Sequence, residues 1–153
     1  MSVSLTVNGA VHTSPAAPQT PLLYILRNDL GLDSARYGCG AAQCGCCNVL
    51  LDDRVIRSCV VPASTASQGK ITTLEGLGNT SKLSALQRAF IEEQAVQCGY
   101  CIPGIIISAH NLLTRVPHPD GAEIAAALDR NLCRCGTHTR ILRAIARAAK
   151  ESA

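Results

Sequence analysis

The feature that most constrains this chain is a loop with four cysteines in nine residues, CGAAQCGCC, from Cys39 to Cys47. Three of them follow the spacing Cys39-x4-Cys44-x2-Cys47, and Cys59 comes after eleven further residues. This spacing is typical of plant-type 2Fe-2S centres. In such a centre, one loop wraps the cluster and a neighbouring strand end supplies the fourth thiolate. Cys46 falls outside the spacing, so the sequence predicts that it is not a ligand.

Three glycines stand beside these cysteines, at Gly38, Gly40 and Gly45. Glycine adopts positive φ without steric cost, so we expect these residues to turn backbone N–H groups toward the sulfurs. Hydrogen bonds of this kind stabilise the negative charge of a cluster. The three glycines are therefore candidate residues of a cluster-wrapping loop.

A second group of cysteines lies in the other half of the chain. It consists of Cys98-x2-Cys101 and, after thirty-one residues, Cys133-x-Cys135. Each pair stands between two predicted helices, so two facing junctions would present four thiols to one site, where helix dipoles favour thiolate charge. Paired cysteines also bind zinc. Because the first half has plant-type spacing, the pattern favours iron–sulfur, but spacing alone leaves zinc open.

The remaining composition argues against disulfides and membrane spans. Nine cysteines are an odd number, and the N-terminus MSVSLTVNGAVH lacks the basic and apolar regions of an export signal. The longest apolar run, IPGIII, is far shorter than the about 20 residues that cross a bilayer. We therefore expect a cytoplasmic protein by default, unless a partner carries it to a membrane or through an export system.

Positive charge collects near the C-terminus. The net charge is +3, and from residue 130 onward six Lys and Arg residues stand against one Glu. Four of these recur along one face of the last predicted helix, at Arg140, Arg143, Arg147 and Lys150. The chain has only three Tyr and one Phe and no nucleic-acid-binding motif. We therefore expect no nucleic-acid partner, and a helix face that is solvated or faces another subunit.

The first seventy-odd residues predict strands with one helix. Alternating apolar residues at positions 3–7 precede Asn8-Gly9, a strong hairpin signal. A second hairpin is predicted over residues 48–56, with the turn DDR, and a further strand over residues 70–74. The helix lies between the two hairpins, with Thr20 as N-cap, Pro21 at the first helical position and Gly31 as the stop.

The second half has a different hydrophobic period. Residues 75–82, EGLGNTSK, are small, polar and glycine-rich, so we predict a boundary between domains of residues 1–76 and 77–153. The later period of 3.6 predicts four helices. They are indicated by Leu83 to Phe90, by the stripe Ile105 to Val116, by a start at Asp120 with Glu123, and by Ile141 to Ala149. Four such helices make a small bundle, so the predicted class is α+β.

Three segments, YGCGAAQCGCCNVLLDDRVIRSC, QCGYCIPG and NLCRCGTHTRI, closely resemble the cluster-binding motifs of the small iron–sulfur subunit of the molybdenum hydroxylases. That family includes xanthine dehydrogenase, carbon monoxide dehydrogenase, aldehyde oxidoreductases and bacterial hydroxylases of N-heterocycles. The resemblance covers nearly the whole chain. It implies a β-grasp ferredoxin-like domain, then a helical four-helix-bundle domain, each with its own 2Fe-2S cluster.

The resemblance also implies roles for individual residues. A distal site would be formed by Cys39, Cys44, Cys47 and Cys59. A proximal site would be formed by Cys98, Cys101, Cys133 and Cys135. Gln97 and Cys135 would lie near the pterin of a molybdopterin cofactor, which the family holds in a separate large subunit.

This chain departs from the family loop at two positions. Ala42 stands where a glycine is usual, so we expect backbone strain there if the position needs positive φ. Cys46 replaces what is commonly alanine and would be inert if buried. The segments CRCGTH, LRNDL and ITTLEGLG are similar to those of nicotinate dehydrogenase and isoquinoline oxidoreductase small subunits. In that group, electrons often leave through a cytochrome c subunit instead of a flavin subunit containing FAD.

The expected function is therefore electron relay inside a molybdenum-dependent hydroxylase. The resemblance implies an aromatic N-heterocycle or an aldehyde as substrate, hydroxylated in the partner subunit. Two alternatives remain at this point, namely a free-standing ferredoxin and a zinc-stabilised interaction module. No catalytic Ser, His and Asp set or nucleotide motif is present in the sequence, so we expect this chain to carry electrons only.

Overall fold

The computed structural model describes residues 2–151 and begins with a five-stranded mixed sheet of strand order β2-β1-β5-β3-β4. The strands are β1 (Val3–Val7), β2 (Ala10–Ser14), β3 (Asn48–Leu51), β4 (Arg54–Arg57) and β5 (Lys70–Thr72). β1 and β5 run parallel at the centre, and the other pairs are antiparallel. This is the predicted β-grasp sheet.

Both predicted hairpins are confirmed, and both close through two residues with positive φ. Asn8 and Gly9 have φ of 50° and 83°, and Val7 pairs with Ala10. In the second hairpin, the turn is Asp52-Asp53, with φ of 45° and 64°. Positive φ at both positions matches the right-handed twist of the strands. The prediction that the turn extends to Arg54 is wrong, since Arg54 already begins β4.

The helix between the hairpins is shorter than predicted. It is one α-helical turn, α1 (Leu22–Tyr24), followed by a π-helical turn over Ile25–Asp29. Pro21 is extended, with ψ of 133°, because it forms a β-bridge with Pro62. The N-cap at Thr20 is therefore wrong, and Pro21 holds that position instead. Gly31 follows the end with φ of 65°, which agrees with its predicted role as the stop.

Six further helices follow. They are α2 (Ala63–Ala66), α3 (Leu74–Leu77), α4 (Ala85–Glu92), α5 (Ile102–Arg115), α6 (Gly121–Ala127) and α7 (His138–Glu151). The last four are the predicted bundle. Asp120 caps α6 in a capping box with Glu123, as predicted, and Ser84 caps α4 in the same way with Gln87.

Part of the basic face of α7 is used within the chain. Arg147 contacts Glu92 at 2.6 Å and Glu93 at 3.3 Å, both at the end of α4, and Arg143 contacts Glu93 at 3.4 Å. Arg147 also contacts Glu151 on its own helix at 3.0 Å. These half-exposed ion pairs join α4 to α7 beside their apolar contact, and each contributes little by itself.

The chain has two hydrophobic cores. One lies between the sheet and α1 and includes Leu5, Leu23 and Ile71. The other lies among α4 to α7 and includes Phe90 and Ile145. The short helix α3 occupies part of the segment predicted as a linker, and the division at residues 76 and 77 stays a prediction. Within residues 2–151, no helix combines the length and apolar character needed to cross a bilayer.

Candidate metal centres

The distal loop directs backbone N–H groups at sulfur. The Sγ of Cys39 accepts hydrogen bonds at 3.3 to 3.4 Å from the N–H groups of Ala41, Gln43 and Cys44. These bonds, with Ala41 the largest contributor, lower the pKa of Cys39 to about 6. The Sγ of Cys44 accepts a bond from the N–H of Cys39 at 3.4 Å. The loop therefore stabilises thiolate charge on its cysteines.

The glycines of this loop serve two different purposes. Gly40 and Gly45 have φ of 65° and 80°, as predicted. Gly38 is not among the residues with positive φ, so the prediction is wrong for Gly38. Gly38 is needed for space instead, because a Cβ there would lie 2.6 Å from the Sγ of Cys44. Ala42 does adopt positive φ, at 57°, so the condition for strain at this position is met.

The adjacent residues Cys46 and Cys47 face different cores. Cys47 belongs to the sheet core together with Cys59, which lies close enough to affect the pKa of Cys47. Cys46 is 7% exposed and belongs to the helical core with Cys101. Burial raises the pKa of Cys46 to about 12 and that of Cys47 to about 11. The two thiols are distinguished by the groups around them and not by acidity.

The proximal cysteines meet at the two helix junctions. Cys98 and Cys101 precede α5, and Cys133 and Cys135 precede α7. Cys98 lies close enough to Cys135, and Cys101 to Cys133, for each to affect its partner's pKa. Three of them, Cys98, Cys101 and Cys133, line a cavity of about 440 Å³.

Hydrogen bonds also support thiolate charge at the proximal site. The N–H of Tyr100 donates to the Sγ of Cys98 at 3.5 Å and lowers the pKa of Cys98. Burial raises the pKa of Cys133, but hydrogen bonds from Thr137, and further ones from Cys101 and Cys135, outweigh it and bring the value to about 7. Burial raises the pKa of Cys101 to about 12. Metal binding would displace that proton.

Gln97 directly precedes Cys98 of the proximal site. It lines a surface cavity of about 380 Å³ with Gly136, Thr137 and Arg140. Gln97 is exposed. Cys135 is half-buried and directly precedes Gly136, which lines this cavity. Gln97 thus lines the cavity and Cys135 lies beside it in the sequence, and their approach to the pterin stays a prediction.

The residues fit two clusters. All nine cysteines are free thiols, and the sulfurs of Cys39, Cys44 and Cys98 accept backbone N–H bonds. Cys44 and Cys59 lie close enough to Cys47 to affect its pKa, and neighbouring cysteines within the proximal set lie close enough to affect one another's pKa. Among residues 2–151, no three Cys, His, Asp or Glu side chains surround a single metal-ion position. A 2Fe-2S centre does not require such a set, because its four thiolates are shared between two irons.

Two family models match this chain. A 2Fe-2S iron-sulfur cluster binding domain matches residues 5–74, and a 2Fe-2S binding domain matches residues 73–146. One nicotinate dehydrogenase subunit of Pseudomonas putida is 52% identical over 149 residues, which cover 97% of this chain and 95% of that protein. The chain belongs to the small iron–sulfur subunits of the molybdenum hydroxylases. Two predictions, the 2Fe-2S cofactors and the electron-transfer role, are thereby confirmed.

Further relatives support the same family. The alpha chain of isoquinoline 1-oxidoreductase from Brevundimonas diminuta is 44% identical over 152 residues, which cover 99% of each chain. The crystal structure of quinoline 2-oxidoreductase from Pseudomonas putida has a TM-score of 0.94 at 36% identity and covers 99% of this chain and 94% of that chain. The aldehyde oxidoreductase of Desulfovibrio desulfuricans has the same TM-score and identity, but this small iron–sulfur subunit spans only 17% of that chain.

Sequence reasoning missed the residues that join the two sites of this subunit. Three buried polar side chains form a chain of hydrogen bonds between its halves. The Nδ2 of Asn48 on β3 donates to the Oγ of Ser108 on α5 at 2.9 Å, and that Oγ donates to the Oδ1 of Asn131 at 3.0 Å. A single polar residue inside the apolar run of α5 was the available signal for Ser108. Nothing local marked its partners.

Proposed function

We propose that Cys39, Cys44, Cys47 and Cys59 ligate the distal 2Fe-2S cluster of this subunit, and that Cys98, Cys101, Cys133 and Cys135 ligate the proximal one. The observation that carries the proposal is the set of N–H groups directed at the sulfurs of both sites. When bound, the two clusters carry electrons one at a time from the molybdopterin site of a large subunit to an external acceptor.

The protein groups stabilise charge at the sulfurs and limit contact with water. Cys47 and Cys59 are buried at 2% and 8% exposure, so one side of the distal site is shielded. Cys39 is exposed, so the other side of the site reaches the surface. A partly exposed site is suited to exchange with an acceptor, because electron transfer requires close approach.

We place the proximal site against the large molybdopterin-binding subunit. Three apolar side chains around it, Val96, Tyr100 and Leu132, are 44%, 47% and 59% exposed. Exposed apolar side chains that cluster on one surface are typical of a subunit interface. Gln97, which lines a neighbouring surface cavity, and Cys135 would contact the pterin. The proposed domains, residues 1–76 and 77–153, then each carry one cluster.

The substrate of the complex is proposed to be an aromatic N-heterocycle. This rests on the similarity to subunits of nicotinate dehydrogenase and isoquinoline 1-oxidoreductase, and on the likeness to quinoline 2-oxidoreductase. The acceptor is proposed to be a cytochrome c subunit, with an FAD-containing subunit as the alternative. Neither choice is made by residues of this chain.

Purification of the tagged chain from its native host tests the assignment. We expect a coloured complex with a large molybdenum-containing subunit, four iron atoms and four acid-labile sulfides per chain, and two EPR signals after reduction. A colourless preparation with zinc would reject the clusters. A coloured chain that emerges without a large subunit would instead support a free-standing ferredoxin. In the complex, Cys135→Ser should alter only one EPR signal, and Cys39→Ser only the other.

A further inference from the structure

The carbonyl of Ala42 in the distal loop accepts hydrogen bonds from two arginines. The Nε of Arg57 donates to it at 3.4 Å, and an Nη2 hydrogen of Arg130 donates to it at 3.3 Å. Arg57 stands at the end of β4, two residues before Cys59, whereas Arg130 lies beyond α6 in the other half of the chain. Residues from both halves therefore hold the same peptide group.

Ala42 is a residue for which such support matters. Its φ of 57° lies in the left-handed region, which a residue with a Cβ adopts only at an energetic cost. The residue that follows it, Gln43, and then Cys44 donate their N–H groups to the Sγ of Cys39. If Ala42 relaxed to negative φ, these two N–H groups would turn away from the sulfur. The conformation of Ala42 and the hydrogen bonds to Cys39 are thus coupled.

Each guanidinium nitrogen of Arg57 donates a hydrogen bond. Its Nη2 donates to the carbonyl of Arg130 at 3.0 Å, and its Nη1 donates to the Oδ1 of Asn48. Asn48 is 2% exposed and is bonded in turn to Ser108 and to the carbonyl of Gly104. These bonds fix the orientation of the guanidinium group that contacts Ala42. The planar arginine side chain is better suited to this role than lysine.

The two guanidinium groups also bring positive charge to the distal site. Among residues 2–151, none of the ion pairs includes Arg57 or Arg130. Positive charge near a 2Fe-2S cluster favours its reduced form, because reduction adds one negative charge.

We propose that Arg57, assisted by Arg130, is a positioning residue of the distal site. Arg57 holds Ala42 in the left-handed conformation and raises the reduction potential of the distal cluster. The inference rests on the proposed ligation by Cys39, Cys44, Cys47 and Cys59. The Arg57 side chain has two separable effects, one on backbone geometry and one on charge. A glycine at position 42 would make the geometric effect unnecessary but would leave the charge effect unchanged.

The test uses the full chain in its complex, with four variants. They are Arg57→Gln, Arg57→Lys, Ala42→Gly combined with Arg57→Gln, and Arg54→Gln. Arg54 is the matched control, because it lies on the same strand, carries the same charge and is exposed. Two quantities are measured, the midpoint potential from EPR-monitored titration and the rate at which an iron chelator removes each EPR signal. The distal signal is identified as the one that Cys47→Ser removes.

In Arg57→Gln we expect a lower midpoint potential of the distal cluster and a rate of distal cluster loss about 5-fold above that of the wild type, which corresponds to roughly 1 kcal/mol. The proximal signal should be unchanged. Arg57→Lys should keep the potential and lose the cluster faster. The added Ala42→Gly should restore the rate of loss to within about 2-fold of the wild type, while the potential stays low. Arg54→Gln should change neither quantity.

The inference is overturned if Arg57→Gln behaves like Arg54→Gln, or if Ala42→Gly does not slow cluster loss. Should Arg57→Gln fail to fold, the comparison is made with Arg57→Lys, with and without Ala42→Gly, since the rescue by glycine is expected in both backgrounds. A wild-type chain without 2Fe-2S signals would defeat the proposed function itself. A wild-type chain with two signals and inert Arg57 variants would defeat only this inference.

Discussion

Cys46 and Cys47 are adjacent in the sequence but differ in what surrounds them. Cys47 lies in the sheet core with Cys59, and Cys46 lies in the helical core. We expect Cys47→Ser to remove or strongly perturb the distal cluster, because it replaces a proposed thiolate ligand with a hydroxyl. Cys46→Ala removes one buried sulfur and should cost about 1 kcal/mol of stability, with both clusters retained. Reduced-state EPR of the two variants distinguishes the roles, and interchanged results would show that Cys46 is the ligand.

Glu75 provides a pH dependence outside the cluster sites. Glu75 is exposed overall, and partial desolvation raises its pKa, but hydrogen bonds from Ser34 and Thr73 outweigh this effect, so the pKa lies below the ordinary value of 4.5. The carboxylate therefore stabilises the fold above the pKa of the unfolded chain, and this stability is lost as the pH falls through the folded value.

The expected result is that Glu75→Gln lowers the free energy of unfolding at pH 7 and has a smaller effect near pH 4. Chemical denaturation at the two pH values measures the difference. Asp129→Asn, which changes an exposed carboxylate, is the control and should show no such trend. An equal loss at both pH values would mean that Glu75 acts through packing and not through its charge.

At the scale of elements, α5 approaches the distal loop more closely than a side chain would allow. A Cβ on Gly104 of α5 would lie 2.0 Å from the carbonyl oxygen of Gly45. Gly104→Ala should therefore push the helix away from the loop, lower stability by about 1–3 kcal/mol and reduce the distal cluster content. Thermal unfolding and iron analysis provide the measurements.

The control for Gly104 is Gly121 at the first position of α6. A Cβ on Gly121 would meet no atom within 4 Å, and its backbone is helical. Gly121→Ala should therefore be neutral or stabilise the chain by about 0.5–1 kcal/mol, as Ala does in a helix. If both substitutions had the same effect, the close approach of α5 to Gly45 would not explain the result.

Those parts of the fold that depend on neighbouring residues were predictable from the sequence. Asn8-Gly9 and the capping box of Asp120 act within a few residues, and each has the predicted structure. Pro21 was mispredicted because its conformation is set by a bridge to Pro62, 41 positions away along the printed sequence. The contacts of Arg57 with Ala42 and Arg130 were not predictable for the same reason. Local patterns do not contain long-range pairings.

At the scale of the whole molecule, a buried polar network joins the two cluster sites. Asn48 bonds to Ser108 and Gly104, Ser108 bonds to Asn131, and the N–H of Leu132 donates to the carbonyl of Cys44 at 2.9 Å. Since buried polar groups are costly when left unpaired, these bonds favour one arrangement of the two halves. We therefore expect the halves of the loaded chain to unfold together.

Asn48→Ala tests this coupling. The substitution removes the side chain that donates to Ser108 and to the carbonyl of Gly104 and that accepts from Arg57, so we expect a loss of about 2–3 kcal/mol. We also expect one calorimetric transition of the loaded wild-type chain to become two, with the sheet half and the helical half unfolding separately. Asn28→Ala, which changes an exposed asparagine in the π-helical turn, should keep a single transition. If Asn48→Ala lowered the midpoint but kept one transition, apolar contact would be what couples the halves. The polar network would then only orient the distal loop. An interface that is held together by buried apolar surface tolerates the loss of a single hydrogen-bonded side chain.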